Sequence, residues 1–310
     1  MKKLLNISSA FIDARFGYLS NPRRSLFSLL VTKLVTLVGF LIYYLKTARY
    51  RRKALRTLRA LTTEYKNKDI LVLANGPSVK KLDEGECLAQ QAAGRLAVFV
   101  VNGFFESPLS TRISPNVFVL SDSQHNPLVY KTNSETRQFW DKALSQKGLR
   151  FAVPLDWYPA VNKNGFPISK FLFFDDSGLE GWSKNTNPRY PRGYGSMTAQ
   201  KALGLSVHSN ANCIKLLGFD NSMFMGLVVD EMNQLFEGVP YFYKNSEPQP
   251  VPYFRRGVAD YFYFISRIFS DYRLFSHYKV LNLDAASLVD AFPKTGKDPL
   301  VKGTHKQSVR

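Results

Sequence analysis

Two stretches of the sequence combine the residue types that hold an anion with the turns that would present them. In LVLANGPSVKKL, residues 71–82, an apolar run breaks at Asn75-Gly76-Pro77-Ser78. A buried strand ending in a sharp turn delivers its first free backbone N–H groups to the carboxyl edge of a parallel sheet, where open α/β folds bind ligands. There Gly76 permits close backbone approach, Pro77 opens the next helix and Ser78 offers a hydroxyl to a phosphate. The spacing is neither GxxxxGK[ST] nor GxGxxG, and plain strand-to-turn punctuation by Gly-Pro is the competing reading. The second stretch, YPRGYGSMTAQKALGLSV from Tyr190, places Gly193, Gly195, Ser196 and Thr198 at the start of an Ala-rich helix. Backbone N–H groups and hydroxyls again face an anion there, unless Ser196 or Thr198 merely caps the helix.

The elements that must position these turns are short apolar runs. ILVLA (70–74), LAVFVVN (96–102), NVFVLSD (116–122), RFAVP (150–154), CIKLLGFD (213–220) and YKVLNLD (278–284) read as strands. Their near-continuous apolar character suits a parallel sheet covered on both faces. Four end in a polar residue, Asn102, Asp122, Asp220 or Asp284, at the edge where an α/β protein keeps its site.

The formal net charge of +18 suggests a nucleic-acid binder until its distribution is examined. Residues 1–68 carry 15 Lys/Arg against 2 acids and residues 294–310 carry 5 against 1, which leaves 69–293 nearly neutral and without a basic stripe. The arm accounts for most of the excess. LFSLLVTKLVTLVGFLIYYL, 26–45, holds one charge, Lys33, and ends in Tyr43 and Tyr44; seven Lys/Arg follow between 46 and 59. Either 26–45 spans a bilayer with its basic flank cytoplasmic, or 23–61 lies in the interface and is drawn to anionic lipid. Lys33, Thr32, Thr36, Arg23 and Arg24 favour the interfacial arrangement; a helix packed on the protein's own core is the alternative. The late, long apolar stretch lacks a small-residue cleavage site and does not read as a signal peptide. Cys87 and Cys213, without CxxC spacing, point to a reducing compartment and to neither a disulfide framework nor a zinc site.

Together LVLANGPSVKKL (71–82), FVVNGFF (99–105), the glycine-rich turn ending in AQKALGL (199–205) and IKLLGFDNSMF (214–224) resemble the bacterial lipooligosaccharide sialyltransferases that use CMP-sialic acid. They also resemble the related MptE-like group, which includes hydroxymethylpterin pyrophosphokinases and motility accessory factors. The resemblance covers residues 69 to about 290 and not the arm. It implies a mostly parallel Rossmann-like sheet with helices on both faces, a GT-A-like variant. It also implies that Asn75, Gly76, Ser78, Asn102, Gly195 and Ser196 contact nucleotide or donor sugar, and that Asp122 hydrogen-bonds a ribose or sugar hydroxyl.

The sequence departs from the family at the general base. The sialyltransferases place a histidine after the GFDN-like strand, and the corresponding PYFRRGVADYF, 252–262, has none. Of His125, His208, His277 and His305, His125 follows a strand end in SDSQHNP and His277 lies in DYRLFSHYKV. Either can titrate near neutrality, a solvated loop histidine is the plainer reading of each, and Asp122 is an alternative base. Arg192, Arg255 or Arg256, with Tyr241 or Tyr243, are candidates to meet a leaving phosphate without a metal. No DxD motif is present, and Asp175-Asp176 reads as a surface-loop pair.

The expected organisation is an amino-terminal arm (1–22), an apolar and basic membrane-associating helix (23–65), a nucleotide-sugar-binding α/β catalytic domain (66–292) and a basic tail (293–310). The expected activity is metal-independent transfer of a sugar from a CMP-activated donor to a surface-glycan acceptor. It would occur at the cytoplasmic face of the bacterial inner membrane, with no separate cofactor and no nucleic acid. The alternatives are a pyrophosphokinase acting on a soluble small molecule and a non-catalytic member of the fold.

Overall fold

The computed structural model describes residues 26–179, 182–238, 241–243, 249–250 and 258–302. Among these residues ten strands are formed: β1 Asp69–Leu73, β2 Leu96–Val101, β3 Val117–Val119, β4 Arg150–Pro154, β5 Phe171–Phe174, β6 Cys213–Leu217, β7 Leu227–Val229, β8 Leu235–Glu237, β9 Gln249–Pro250 and β10 Val280–Asn282. Seven make one sheet in the order β10-β6-β1-β2-β3-β4-β5, and β7-β8-β9 make a small second one. Every pairing in the large sheet is parallel. All of β2 is buried, as is β1 beyond Asp69, which is what unbroken apolar strands require when both faces are covered.

The chain lays down β1 to β5 outward in one direction, then returns to the other flank of β1 with β6. The order therefore reverses between β1 and β6, a topological switch point, and it is outside the carboxyl ends of the strands at such a point that open α/β sheets bind ligands. Leu73 is level with both Val100 and Leu217, so the loops after β1, β2 and β6 leave at one height. The fold is Rossmann-like.

Among the described residues seven α-helices accompany the strands: α1 Leu26–Leu55, α2 Arg59–Glu64, α3 Glu84–Ala92, α4 Ser134–Ser145, α5 Tyr158–Lys163, α6 Thr198–His208 and α7 Val258–Tyr272. The central one is α6, buried at Thr198 and from Gln200 to Ser206, and it packs against β1, β2, β3 and β6. Its amino terminus is thereby aimed at the carboxyl edge.

The basic arm divides in two. Its later half is part of the core: Tyr50, Ala54, Leu55, Leu58 and Leu61 are buried, and Tyr50 stacks on Tyr158 with centroids 5.2 Å apart. Phe173 N–H donates to Thr57 Oγ1 at 2.9 Å, Arg51 pairs with Asp175, and Lys46 Nζ lies 3.2 Å from Asp156. The partners of α1 and its continuation move outward as the numbers fall, from Phe173 within β5, to Asp175 just past it, to Trp182, whose Nε1 donates to the Lys33 carbonyl at 3.2 Å. The earlier half of α1 thus projects past the carboxyl edge, with Leu30, Leu34, Leu41 and Leu45 exposed by 65, 61, 48 and 75%. Among the described residues no helix is long and apolar enough to cross a membrane.

Candidate functional site at the carboxyl edge

The Asn75–Ser78 turn is held by the loop after β6. Ala74 N–H donates to the Leu217 carbonyl at 2.9 Å and Gly76 N–H to the Gly218 carbonyl at 3.0 Å. Ser78 N–H shares the Asp220 carboxylate, at 3.2 and 3.3 Å from its two oxygens; Ser78 Oγ donates to Oδ2 at 2.8 Å and accepts from Gly218 N–H at 2.9 Å. These donors are consumed inside the protein, and Ser78 is buried. The expectation that Gly76 and Ser78 cradle a phosphate is corrected: a carboxylate of the same chain occupies that place. A Cβ at position 76 would overlap Asp220 Oδ2 and lie 2.6 Å from the Gly218 oxygen, so the glycine is demanded by the β1–β6 junction. Pro77 opens the short turn Pro77–Lys81. Burial raises the Asp220 carboxyl pKa, the Ser78 hydrogen bonds oppose the rise, and Asp284 adds to it.

The donors and acceptors left for a ligand lie one and two strands further along. Asn102, the first residue past β2, is in a left-handed conformation, φ +31°, which asparagine tolerates better than most residues. Its Nδ2 donates to Asp122 Oδ2 at 2.6 Å and to Thr198 Oγ1 at 2.9 Å, and Ser121 Oγ lies 2.7 Å from Thr198 Oγ1. Thr198 is the first residue of α6, and no side chain caps that 11-residue helix, so its first-turn N–H groups and positive dipole end face the cluster. Among the described residues Asn75 Oδ1 and Asn102 Oδ1 are buried acceptors without a partner.

An aromatic pair closes this edge. Phe242 N–H donates to the Asn75 carbonyl at 3.0 Å, which sets its neighbours Tyr241 and Tyr243 over the strand ends, stacked at 5.3 Å. A Cβ at Gly103 would overlap the Tyr243 hydroxyl. Burial holds both phenols above their ordinary pKa, and the charges of Asp122 and Glu106 push the same way, so both stay protonated at neutral pH.

The second glycine turn is built for packing. Gly193 N–H donates to the Asn185 carbonyl at 2.8 Å, and a Cβ there would lie 2.7 Å from Asn185 N. Gly195 N–H donates to Asp271 Oδ2 at 2.7 Å. Neither amide is open to a nucleotide, whereas Ser196 is exposed beside the α6 terminus.

Behind the site lies an ion network. Asp176 receives Lys201 Nζ at 2.9 Å and Arg192 Nε at 3.1 Å, while Asp175 pairs with Arg51 and accepts from Ser177 Oγ at 2.6 Å. Burial would raise the Asp176 pKa, but Lys201 and Arg192 overcome it and hold the carboxyl below its ordinary range. The surface-loop reading of Asp175-Asp176 is therefore corrected: Asp175 is 2% exposed, and the pair fastens α1, β5 and α6 together. Arg192 is spent here and does not reach a phosphate; Arg255 and Arg256 lie outside the described residues. Lys201 was not anticipated, although a lysine amid AQKALGLSV is a charge in an otherwise buried helix.

The histidines disperse. His125 is 8% exposed with its ring 4.6 Å from Phe139, and its carbonyl accepts from Trp140 Nε1 at 2.9 Å. Burial lowers its imidazole pKa, with Asp122 and Glu106 pulling it back. It is a packed residue and not a solvated loop histidine. His277 is exposed in the turn that precedes β10, at the amino edge of the sheet, so it does not join Asp122. His208 ends α6 at that same edge, and His305 lies outside the described residues. The edge therefore gathers Asn75, Asn102, Asp122, Ser196 and Thr198 with the two tyrosines. Among the described residues no group of three His, Cys, Asp or Glu is placed to hold a metal ion.

No protein-family model matches the chain, and no curated protein matches it. Among solved structures the chain is similar to the MAf glycosyltransferase from Magnetospirillum magneticum AMB-1, with 12% identity and a TM-score of 0.47 over 77% of this chain and 35% of that one. The chain thus spans about a third of the length of that protein, and a likeness this distant says nothing about the chemistry of the edge.

Proposed function

We propose that the protein is a glycosyltransferase that moves a sugar from a nucleotide-activated, CMP-linked donor to a hydroxyl of a surface-glycan acceptor at a membrane surface. The observation that carries this reading is the Asn102–Asp122–Thr198 cluster set before the uncapped amino terminus of α6. The motif resemblance supports it, and so do the exposed leucines of α1, which stand beyond the same edge.

In this account the donor phosphate rests on the first-turn N–H groups of α6 and the Ser196 hydroxyl. The helix dipole stabilises the negative charge that grows as the bond from the anomeric carbon to the phosphate oxygen breaks. The unpartnered oxygens of Asn75 and Asn102 accept from donor groups of the nucleotide, such as an exocyclic amine or a ribose hydroxyl. The tyrosine pair offers an aromatic surface to a ring, and its protonated hydroxyls donate hydrogen bonds. Asp122, oriented by the Asn102 amide, takes the acceptor proton as the acceptor oxygen bonds to the anomeric carbon.

The test is Asp122→Asn, assayed with CMP-, UDP- and GDP-sugars while nucleotide binding is followed in parallel. The expected result is a loss of about 10²- to 10⁴-fold in turnover with binding retained. Unchanged turnover removes Asp122 as the base. Binding of ATP alone favours the pyrophosphokinase alternative.

A further inference from the structure

Along one face of α1, Leu30, Leu34, Leu41, Leu45, Ala48 and Arg52 recur at spacings of three, four and seven residues. At about 100° per residue they fall within roughly 60° of one another around the helix axis. The stripe is apolar and exposed through Leu45, then cationic from Arg52. On the next turns Arg56 and Arg59 continue it into a groove of about 640 Å³, whose opposite wall is Arg189, Tyr190 and Pro191. Among the described residues no carboxylate pairs with Arg52, Arg56, Arg59 or Arg189; Arg51, tied to Asp175, is the groove arginine with an acidic partner. Four guanidinium groups converging without counter-charges make a site for a polyanion, and arginine's planar fork suits phosphate oxygens. Tyr44 and Tyr190 line the same groove with apolar ring surface.

We infer that this groove binds the phosphate or pyrophosphate head of an anionic amphiphile, whose hydrocarbon lies along the exposed leucines of α1. The order along the helix matches such a ligand, with the apolar stretch beyond the carboxyl edge and the cations nearer the body. The loop through Arg189 runs within a few residues to Ser196 and Thr198, so an amphiphile held here would lie on the flank of the candidate active site. This inference rests on the membrane-surface reading of α1 and not on the transfer chemistry.

The experiment uses full-length protein and two triple variants of equal charge. Arg52→Ala/Arg56→Ala/Arg189→Ala removes three of the four unpaired guanidinium groups of the groove. Arg49→Ala/Lys53→Ala/Lys163→Ala removes three cations from a separate groove on the other side of α1, beside Tyr50 and Tyr158. Each protein is sedimented with phosphatidylcholine vesicles, with and without phosphatidic acid, and titrated with inorganic pyrophosphate. Diffuse attraction, at about 1 kcal/mol per basic residue near an anionic surface, would weaken both variants alike by about a hundredfold. A groove predicts that loss in the first variant alone, with the second within a few-fold of wild type. Leu41→Gln/Leu45→Gln should weaken vesicle binding and leave pyrophosphate binding unchanged. Equal losses in the two triple variants overturn the groove. Groove-dependent pyrophosphate binding by a protein that ignores phosphatidic acid vesicles overturns the amphiphile and leaves a free polyphosphate as the ligand. Nucleotide-induced thermal stabilisation, expected to be the same in all these variants, keeps failure here distinct from failure of the proposed transferase.

Discussion

Replacing Gly76 by alanine separates two accounts of the Asn-Gly-Pro-Ser turn. If the glycine exists for ligand approach, the substitution spares folding and weakens nucleotide binding. If it exists for the β1–β6 junction, the fold suffers first, because the new Cβ coincides with Asp220 Oδ2 and sits 2.6 Å from the Gly218 oxygen. Overpacking costs about 1–3 kcal/mol, and each hydrogen bond to a charged acceptor contributes about 1.5–3 kcal/mol. Displacing Asp220 strips both Ser78 donors of their acceptor. It also returns a carboxylate whose pKa is raised by burial to water, so the low ends apply. The expected loss is about 4 kcal/mol, or roughly 8–16 °C in Tm for a domain of this size. Urea unfolding of wild type and Gly76→Ala reads the first number directly. Adding Asp220→Ser should recover at least about 1 kcal/mol through coupling of the two sites. A Gly76→Ala protein within about 0.5 kcal/mol of wild type refutes the junction and returns the turn to the ligand.

Three further outcomes follow from the packing. Lys201→Met leaves the partly buried Asp176 with one cation in place of two and should destabilise by about 1.5–3 kcal/mol by urea unfolding, whereas a value under about 0.5 kcal/mol contradicts the network. Asp176 has a folded pKa below its ordinary 3.8, so its contribution is present above that value and is lost as pH falls through the folded value; Asp176→Asn should flatten this acid limb. His125 has a lowered folded pKa, so stability falls as pH drops through its unfolded value of 6.5, and His125→Gln should remove that slope in pH-dependent melts without altering the pH profile of turnover. Deleting residues 1–42 should leave a folded protein that no longer binds anionic vesicles, while deleting 1–61 removes the buried Tyr50, Ala54, Leu55, Leu58 and Leu61 and should abolish cooperative melting.

The sheet was legible because both of its faces are buried, so six of its seven strands stand out as largely apolar runs, four of which lead into Asn or Asp. β5 escaped because FLFF is only four residues long and runs straight into Asp175-Asp176, which resembles a surface loop until Arg51, Arg192 and Lys201 are seen to neutralise it. The small sheet of β7, β8 and β9 was not foreseen either; its strands are two or three residues long. At the site, Asn102 and Asp122 were readable as polar residues ending apolar strands. The roles of Gly76, Ser78, Gly193 and Gly195 were not, since a glycine that admits a ligand and one that admits Asp220 or Asn185 look alike in sequence. The basic run after α1's apolar stretch misled in part. Its residues alternate between a docked face, with Arg51 and Tyr50, and an open one, with Arg52 and Arg56, and only the packing tells them apart.

The central claim is that the α6 amino terminus and the Asn102–Asp122 pair hold an activated sugar nucleotide. Its most direct test is the thermal shift of wild type, Thr198→Val and Asp122→Asn across a panel of CMP-, UDP- and GDP-sugars and ATP with magnesium. At a ligand concentration of about 100 Kd, stabilisation should reach about 2.7 kcal/mol. The account predicts that CMP-sugars raise the wild-type melting temperature, that Thr198→Val abolishes the shift and that Asp122→Asn retains it. A shift with ATP and magnesium alone, or one that Thr198→Val leaves intact, contradicts it.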